Sequence, residues 1–135
     1  MITLIDTSLW VDFLRPRSSV RLKEFVSGYI LDSTAHVAEP IVFELLRNAL
    51  PTEVPLLMRR FEHLNCLPAP EDLWRKAAQL GQACRRQGNA LGAMDLLIGA
   101  LAQSHNAVLV TLDQDFEAIG EAGGFRVELL QRPAG

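Results

Sequence analysis

Three acidic side chains stand at points of the sequence where carboxylates could share a metal ion. Asp6 directly follows the apolar run Ile2–Ile5, and Asp113 and Asp115 follow the apolar run Ala107–Val110. If each run is a strand of a parallel sheet, its acids lie at the carboxyl end, where open α/β sheets bind ligands. Carboxylates that converge there repel one another, and a divalent cation removes the repulsion. The alternative role for each of these acids is that of a helix cap.

Two further acids are candidates for the same site. Asp95 is the only charge in the apolar segment 92–102, and burying a lone carboxylate is costly unless it is paired or binds a metal. The alternative is an exposed position at the start of a helix, near the positive end of the helix dipole. Glu44 follows Pro40 on a predicted helix, and its alternative is a solvent-facing pair with Arg47.

Other kinds of catalytic site have no support in the sequence. His36, His63 and His105 are far apart and lack the paired spacing of a zinc site. The chain has neither a glycine-rich phosphate loop nor a Gly-x-Ser-x-Gly motif. A site made of carboxylate oxygens suits Mg²⁺, with Mn²⁺ as the alternative.

Alternating strand and helix patterns supply the elements that must position these acids. Short apolar runs predict strands, and apolar residues at helical spacing predict helices. The predicted strands are Ile2–Ile5, Thr34–Ala38, Asn65–Leu67, Ala107–Val110 and Arg126–Leu129. The predicted helices are Ser8–Leu14, a helix capped by Ser18 or Ser19 that runs through Val26 with Gly28 as its stop, Pro40–Ala49, Glu53–His63, Glu71–Gln87 with Leu73, Trp74, Ala77, Leu80 and Cys84 inward, Ala93–Ser104 and Asp115–Ile119. Strands separated by helices imply a parallel sheet covered on both faces, in one domain spanning residues 1–135.

Composition narrows the classes of function. The chain has 135 residues and a formal net charge of −3, which argues against nucleic-acid binding through a bulk basic surface. Arg15, Arg17, Arg85 and Arg86 could still form a local basic rim, although each could equally be a solvated surface charge. Cys66 and Cys84 are expected to be free, buried thiols, with one disulfide as the open alternative. The sequence contains no run of about 18 apolar residues, so we expect a cytoplasmic protein without a membrane partner.

Four motifs in order resemble the PIN domain. They are Asp6-Thr7-Ser8 after the first strand, Glu44 on a mid-chain helix, Asp95 within Met-Asp-Leu-Leu-Ile-Gly-Ala, and Val-Thr-Leu-Asp-Gln-Asp-Phe around Asp113. The length of the chain resembles that of the VapC toxins of bacterial VapBC toxin–antitoxin pairs. The resemblance implies a three-layer α/β/α fold with a central parallel sheet of about five short strands.

The same resemblance implies an endoribonuclease that depends on Mg²⁺ or Mn²⁺ and cleaves RNA with a metal-activated water. Carried over residue by residue, it makes Asp6, Glu44, Asp95 and Asp113 catalytic, and Asp6, Asp95, Asp113 and Asp115 metal ligands. Thr7, Ser8 and Thr111 match hydroxyl positions that support those acids, and the four arginines above become candidate contacts to RNA or antitoxin. The implied partners are an RNA substrate, a VapB-type antitoxin and a second copy of the chain.

Three other functions compete with this one. The first is a PIN nuclease of RNA maturation or DNA cleavage without toxicity. The second is an α/β module that binds a partner without catalysis, its acids serving as helix caps. The third is a receiver-like phosphoacceptor domain, which would want a lysine near the end of the chain, whereas Lys23 and Lys76 are the only lysines.

Overall fold

A computed structural model describes residues 1–134, which form a five-stranded parallel sheet covered by helices on both faces. The strands are β1 (Thr3–Ile5), β2 (Ala35–Val37), β3 (Asn65–Cys66), β4 (Val108–Thr111) and β5 (Val127–Leu129). The helices are α1 (Thr7–Leu14), α2 (Val20–Ile30), α3 (Glu39–Asn48), α4 (Val54–Glu62), α5 (Leu73–Arg86), α6 (Ala93–His105) and α7 (Asp115–Gly123). The predicted three-layer α/β/α fold is confirmed.

The order of the strands, β3-β2-β1-β4-β5, fixes where a ligand site can form. The chain builds outward from β1 through β2 to β3, then crosses back to place β4 on the other side of β1. Right-handed crossovers therefore put α1–α4 on one face of the sheet and α5–α7 on the other. The reversal lies between β1 and β4, and the carboxyl ends of the two strands at such a switch point open onto a crevice.

Apolar side chains account for the two central strands. Leu4, Ile5, Leu109 and Val110 are all at most 1% exposed, as expected where helices cover both faces of a parallel sheet. The two strands are in register, with Leu4 opposite Leu109 and Ile5 opposite Val110. Continued by one residue, this register brings Asp6, which follows β1, level with Thr111, which ends β4.

Helix α6 carries Asp95 to this edge, and α5 packs antiparallel against it. Gly81 of α5 lies so close to Leu96 that an added Cβ would sit 2.9 Å from Leu96 Cδ1. At the opposite end of the pair, Lys76 Nζ lies 3.4 Å from Ser104 Oγ. The glycine at position 88, with φ of 86°, ends α5 in the left-handed region and turns the chain toward α6.

Three local predictions were wrong. Trp74 was expected inward but is 74% exposed, because it lies about 100° around α5 from the buried Leu73. Cys66 was expected to be buried but is exposed on the edge strand, although both cysteines are free as predicted. Gly28 does not stop α2, which continues for two residues so that Ile30 enters the core.

Within residues 1–134, no helix combines the length and apolar character needed to cross a bilayer.

Candidate metal centre

Asp6 is both the cap of α1 and a buried acid of the site. Its side chain accepts a hydrogen bond from the backbone N–H of Ser8, which caps the helix. The Asp6 backbone N–H donates to the carbonyl of Val110 at 3.0 Å, and its carboxylate accepts a hydrogen bond from Thr111 at the end of β4. The two roles that the sequence offered as alternatives are therefore held by one residue, which is 4% exposed.

Two hydroxyl groups hold one oxygen of this carboxylate. Ser8 Oγ and Thr111 Oγ1 each donate to Asp6 Oδ2 at 2.8 Å. The same hydroxyl oxygens accept hydrogen bonds from the backbone N–H groups of Leu112 and Asp113, at 3.1 and 3.0 Å. The start of α1 is thereby fixed to the loop after β4. Both hydroxyl donors converge on Oδ2 of Asp6.

Three acids bring their carboxylates together beside Asp6. One oxygen each from Asp95, Asp113 and Asp115 lies within 4.8 Å of the other two. Asp95 stands in the first turn of α6, whereas Asp113 and Asp115 come from the loop and helix start after β4. The loop is held by the backbone N–H of Asp115, which donates to Asp113 Oδ1 at 3.0 Å.

The pKa of Asp95 is affected by all four of the other candidate acids. Its pKa is raised from the ordinary 3.8 to about 6, first by burial and then by repulsion from Asp113, Asp6, Glu44 and Asp115. Burial also raises the pKa of Asp6, against the opposing effect of the hydrogen bonds from Thr111 and Ser8. Without a cation, ionisation of all the acids in this site is unfavourable, because their negative charges are partly buried and repel one another.

Glu44 reaches the site from α3 on the opposite side of α1. Thr7 Oγ1 donates to Glu44 Oε1 at 2.6 Å, so the first residue of α1 orients the glutamate. Glu44 is outside the tight trio of carboxylates, which contains Asp95, Asp113 and Asp115. Its effect on the pKa of Asp95 places it at the border of the same acidic cleft.

The donor set fits a hard divalent cation. Carboxylate oxygens are the protein ligands that Mg²⁺ and Mn²⁺ prefer, and opposite oxygen ligands of one Mg²⁺ lie about 4.2 Å apart. The oxygens of the trio lie within 4.8 Å of one another, near enough for side-chain rotation to bring them onto one cation. Asp6 and Glu44 would then add ligands or hold water at the edge of the sphere.

The four candidate arginines fall into two pairs that flank the acids without entering the cluster. Arg85 and Arg86 lie in the last turn of α5, next to the start of α6, where Asp95 stands. Arg15 and Arg17 lie beyond the far end of α1, where they line a separate pocket. All four side chains are exposed.

Sequence reasoning missed one buried acid. Asp12, on α1, is 2% exposed and accepts hydrogen bonds from Arg132 Nε at 2.7 Å and Arg132 Nη2 at 3.4 Å. Asp12 is the only acid of an otherwise largely apolar helix, so the argument that drew attention to Asp95 applied to it too. Its partner could not be found locally, because it lies 120 positions away.

A large groove opens on the α1–α4 side of the molecule, with a volume of about 1080 Å³. Its walls include the side chains of Trp10, Ile30, Leu45 and Leu57. The apolar side chains of Leu31 and Leu56 remain 69% and 63% exposed at its border. Basic residues, Arg15, Arg59, Arg60 and His63, stand among the polar lining residues. This combination suits an amphipathic protein segment better than a small polar ligand.

Comparison with known proteins places the chain among nucleases. Residues 3–122 match the family model of the PIN domain. The chain is 36% identical to Ribonuclease VapC11 of Mycobacterium tuberculosis over 135 residues, which covers 91% of this chain and 98% of that relative.

Solved structures share the fold at lower sequence identity. The chain is similar to VapBC2 from Rickettsia felis bound to a DNA fragment from its promoter, with a TM-score of 0.74, 19% identity and coverage of 97% of this chain and 100% of that chain. It is also similar to VapBC-5 from Mycobacterium tuberculosis, a member of the VapBC family of toxin–antitoxin systems. There the TM-score is 0.66 and the identity 22%, covering 96% of this chain and 98% of that chain.

Proposed function

Because this chain belongs to the VapC ribonucleases of the PIN-domain family, we propose that it is a metal-dependent endoribonuclease acting as the toxin of a toxin–antitoxin pair. The observation that carries the proposal is the convergence of five carboxylates on the switch point between β1 and β4. Repulsion within that cluster raises the pKa of Asp95 to about 6, and bound cations would relieve it.

We assign the catalytic roles to Asp6, Glu44, Asp95 and Asp113. Asp6, Asp95, Asp113 and Asp115 would hold the cation, which we take to be Mg²⁺, with Mn²⁺ as the alternative. The spacing of Asp95, Asp113 and Asp115 supports this division. The repulsion between Asp6 and Asp95 supports a role for Asp6 as a further ligand.

When bound, such a cation stabilises negative charge on the scissile phosphate and makes a coordinated water acidic enough to serve as the nucleophile. The protein's part is to hold the acids in place. Ser8 and Thr111 lock Asp6 by hydrogen bonds of 2.8 Å, and Thr7 holds Glu44. Glu44, at the cleft border, is then positioned to orient a water molecule.

Basic side chains at the ends of the cleft would grip the RNA backbone. Arg85 and Arg86 lie next to the helix start that carries Asp95, so a strand entering the cleft from that side passes them. Their guanidinium groups suit phosphate oxygens. Single-stranded or looped RNA fits this arrangement, because its bases can be turned out and read individually.

The groove on the α1–α4 side is the site we propose for a VapB-type antitoxin. An amphipathic helix could lay its apolar face against Leu31 and Leu56 and its acidic residues against Arg59 and Arg60. The extended end of the same antitoxin could then reach the acidic cleft, where an arginine would pair with the carboxylates in place of the cation.

A homodimer is the second partner proposal. Large apolar side chains remain exposed on α3, on α4 and between them. Phe43 is 54% exposed, Leu50 64% and Met58 46%. A second copy of the chain that covered this side would bury them. Light scattering of the purified chain, alone and with its antitoxin, measures the assembly directly.

Cleavage mapping tests the activity. Purified protein should cut RNA at defined positions with Mg²⁺ or Mn²⁺ and lose that activity in excess EDTA. Asp95→Asn should abolish cleavage while circular dichroism shows the fold retained. Glu117→Gln is a matched control, because Glu117 is an exposed acid on the neighbouring helix α7. Full activity of Asp95→Asn would rule out the assigned site.

Growth assays separate a toxin from a nuclease of RNA maturation. Induced expression of the wild-type chain should arrest growth, and co-expression of a small DNA-binding protein encoded beside it should restore growth. Cleavage in vitro without growth arrest would leave the nuclease assignment intact and overturn the toxin assignment.

A further inference from the structure

We propose that a second basic pocket, formed around Arg132 at the far end of α1, binds a phosphate of the RNA strand outside the metal centre. The inference rests on the proposed ribonuclease function and adds a substrate subsite to it. The pocket is lined by seven residues, Asp12, Arg15, Pro16, Arg17, Ser18, Ser19 and Leu22, and by Arg132 from the end of the chain. Its volume of about 810 Å³ lies within the range of small-ligand sites.

The buried carboxylate of Asp12 anchors one wall of this pocket. It binds Arg132 through Nε and Nη2, while the carboxylate itself is almost fully enclosed. Two contacts to one planar guanidinium fix its orientation. The arginine side chain nevertheless stays 54% exposed, so its remaining N–H groups are available to an anion. A flexible surface arginine would have to be ordered by the ligand, whereas this one is already placed.

The charge of the pocket is positive. Asp12 neutralises one of its three arginines, so the net charge of the lining is +2 by formal count. Within residues 1–134, the guanidinium groups of Arg15 and Arg17 form neither a hydrogen bond nor an ion pair. Three guanidinium groups around one cavity match the oxygens of a phosphodiester.

The pocket lies close to the metal centre. The backbone N–H of Leu130 donates to the carbonyl of Thr111 at 2.8 Å, and Thr111 binds Asp6. Arg132 follows Leu130 by two residues, so the Cα atoms of Arg132 and Leu130 are at most about 7 Å apart. Along α1, Asp12 is six residues from Asp6, or about 9 Å. A single strand cut at the acids could therefore reach this pocket within a few nucleotides.

The position of the pocket near the metal centre, and its polar lining, favour RNA over an acidic protein segment as its ligand. A strand whose scissile phosphate sits at the acids must carry further phosphates over the surrounding surface. The pocket offers guanidinium groups at that distance, and its only large apolar lining residue is Leu22. An acidic helix would need an apolar face here, whereas a phosphodiester backbone does not.

Salt dependence of RNA binding tests the inference. All proteins carry Asp95→Asn so that the probe, a labelled single-stranded oligoribonucleotide of mixed sequence, stays intact. Each phosphate contact contributes about 0.7 to the slope of log K against log salt for single strands. Because the pocket binds one phosphate, Arg15→Gln/Arg17→Gln should flatten that slope by about 0.7. Asp12→Asn/Arg132→Gln, which removes both members of the buried pair, should flatten it by about 0.7.

The matched control for the arginine pair is Arg75→Gln/Arg126→Gln, which removes two positive charges at exposed positions near the amino ends of the strands, whereas Asp12→Asn/Arg132→Gln leaves the net charge unchanged. Circular dichroism checks that each variant folds. If the pocket variants and the control flatten the slope equally, the pocket is not an RNA subsite, even if the wild-type chain cleaves RNA. If the variants weaken antitoxin capture but leave RNA binding unchanged, the pocket serves the antitoxin and the inference is wrong. Failure of the wild-type chain to cleave any RNA would count against the proposed function instead.

Discussion

The hydroxyl of Thr7 donates a 2.6 Å hydrogen bond to Oε1 of Glu44, across 37 positions of sequence. Thr7 is the first residue of α1, directly after Asp6, and Glu44 lies on the facing helix α3. The start of α1 therefore positions two acids. It carries Asp6 next to Thr7 in the chain, and it holds Glu44 through the Thr7 hydrogen bond. This connection makes Glu44 part of the site although it is outside the tight trio of carboxylates.

Removing the hydroxyl of Thr7 should impair catalysis more than RNA binding. A hydrogen bond to a charged group contributes about 1.5–3 kcal/mol, and about 1.4 kcal/mol corresponds to ten-fold in rate. We therefore expect Thr7→Val to lower kcat about ten-fold or more, with a smaller change in KM. Thr7→Ser keeps the donor and should keep most of the activity. Equal kcat values for the valine and serine variants would show that this hydrogen bond does not matter.

Loss of the Thr111 hydroxyl should move the pH profile. Burial raises the pKa of Asp6, and the hydrogen bond from Thr111 is the largest effect opposing that rise. Thr111→Val should raise the pKa of Asp6 further, because the ionised form loses a donor. The acid limb of kcat/KM should then shift to higher pH. Thr3→Val is the control, because the hydroxyls of Thr3 and Thr34 form a hydrogen bond with each other, away from the acids. An unshifted acid limb in Thr111→Val would contradict the prediction.

The metal-free protein should lose stability as its acidic site ionises. The pKa of Asp95 is about 6 in the folded chain, against an ordinary 3.8, so the folded state binds the proton more tightly. The contribution of Asp95 therefore favours folding below pH 3.8 and declines as the pH rises toward about 6. Above that range, Mn²⁺ should raise the melting temperature, because it binds only the folded, ionised site.

Thermal unfolding in EDTA from acid to neutral pH measures this decline. Asp95→Asn removes the titrating group, so it should flatten the decline and melt higher than the wild type at neutral pH. It should also reduce the stabilisation by Mn²⁺. If the wild type and Asp95→Asn have the same melting temperature at every pH, ionisation of Asp95 does not destabilise the metal-free protein.

Much of the acidic site could be predicted because a local sequence pattern marks each acid and the sheet topology brings them together. Asp6 directly follows one apolar strand and Asp113 comes shortly after another, and parallel strands bring their carboxyl ends to one edge regardless of side-chain detail. Asp95 stood out as a single charge in an apolar helix. The hydrogen bonds of Thr7 and Thr111 could be placed only by the resemblance to a family, since no spacing rule connects residues so far apart.

Other features depended on packing that the sequence does not display. The pair of Asp12 and Arg132 joins α1 to the end of the chain, and neither residue has a local pattern that names its partner. Trp74 followed the helical spacing of its neighbours but lies on the flank of α5. Gly28 looked like a helix stop, yet burial of Ile30 extends α2 past it, because tertiary packing outweighs the weak helix propensity of one glycine.

Alanine substitutions at two helical glycines should have opposite effects on the free energy of unfolding. An added Cβ at Gly28 meets nothing within 4 Å, so Gly28→Ala should stabilise the protein by about 0.5–1 kcal/mol through helix propensity. At Gly99 the Cβ would lie 2.5 Å from Ile119 Cγ2 and 3.2 Å from Leu80 Cδ2. Overpacking there costs about 1–3 kcal/mol, which exceeds the gain in propensity, so Gly99→Ala should lower the free energy of unfolding. Denaturant unfolding of both variants measures the difference, and stabilisation by Gly99→Ala would mean that α6 and α7 pack less closely than described.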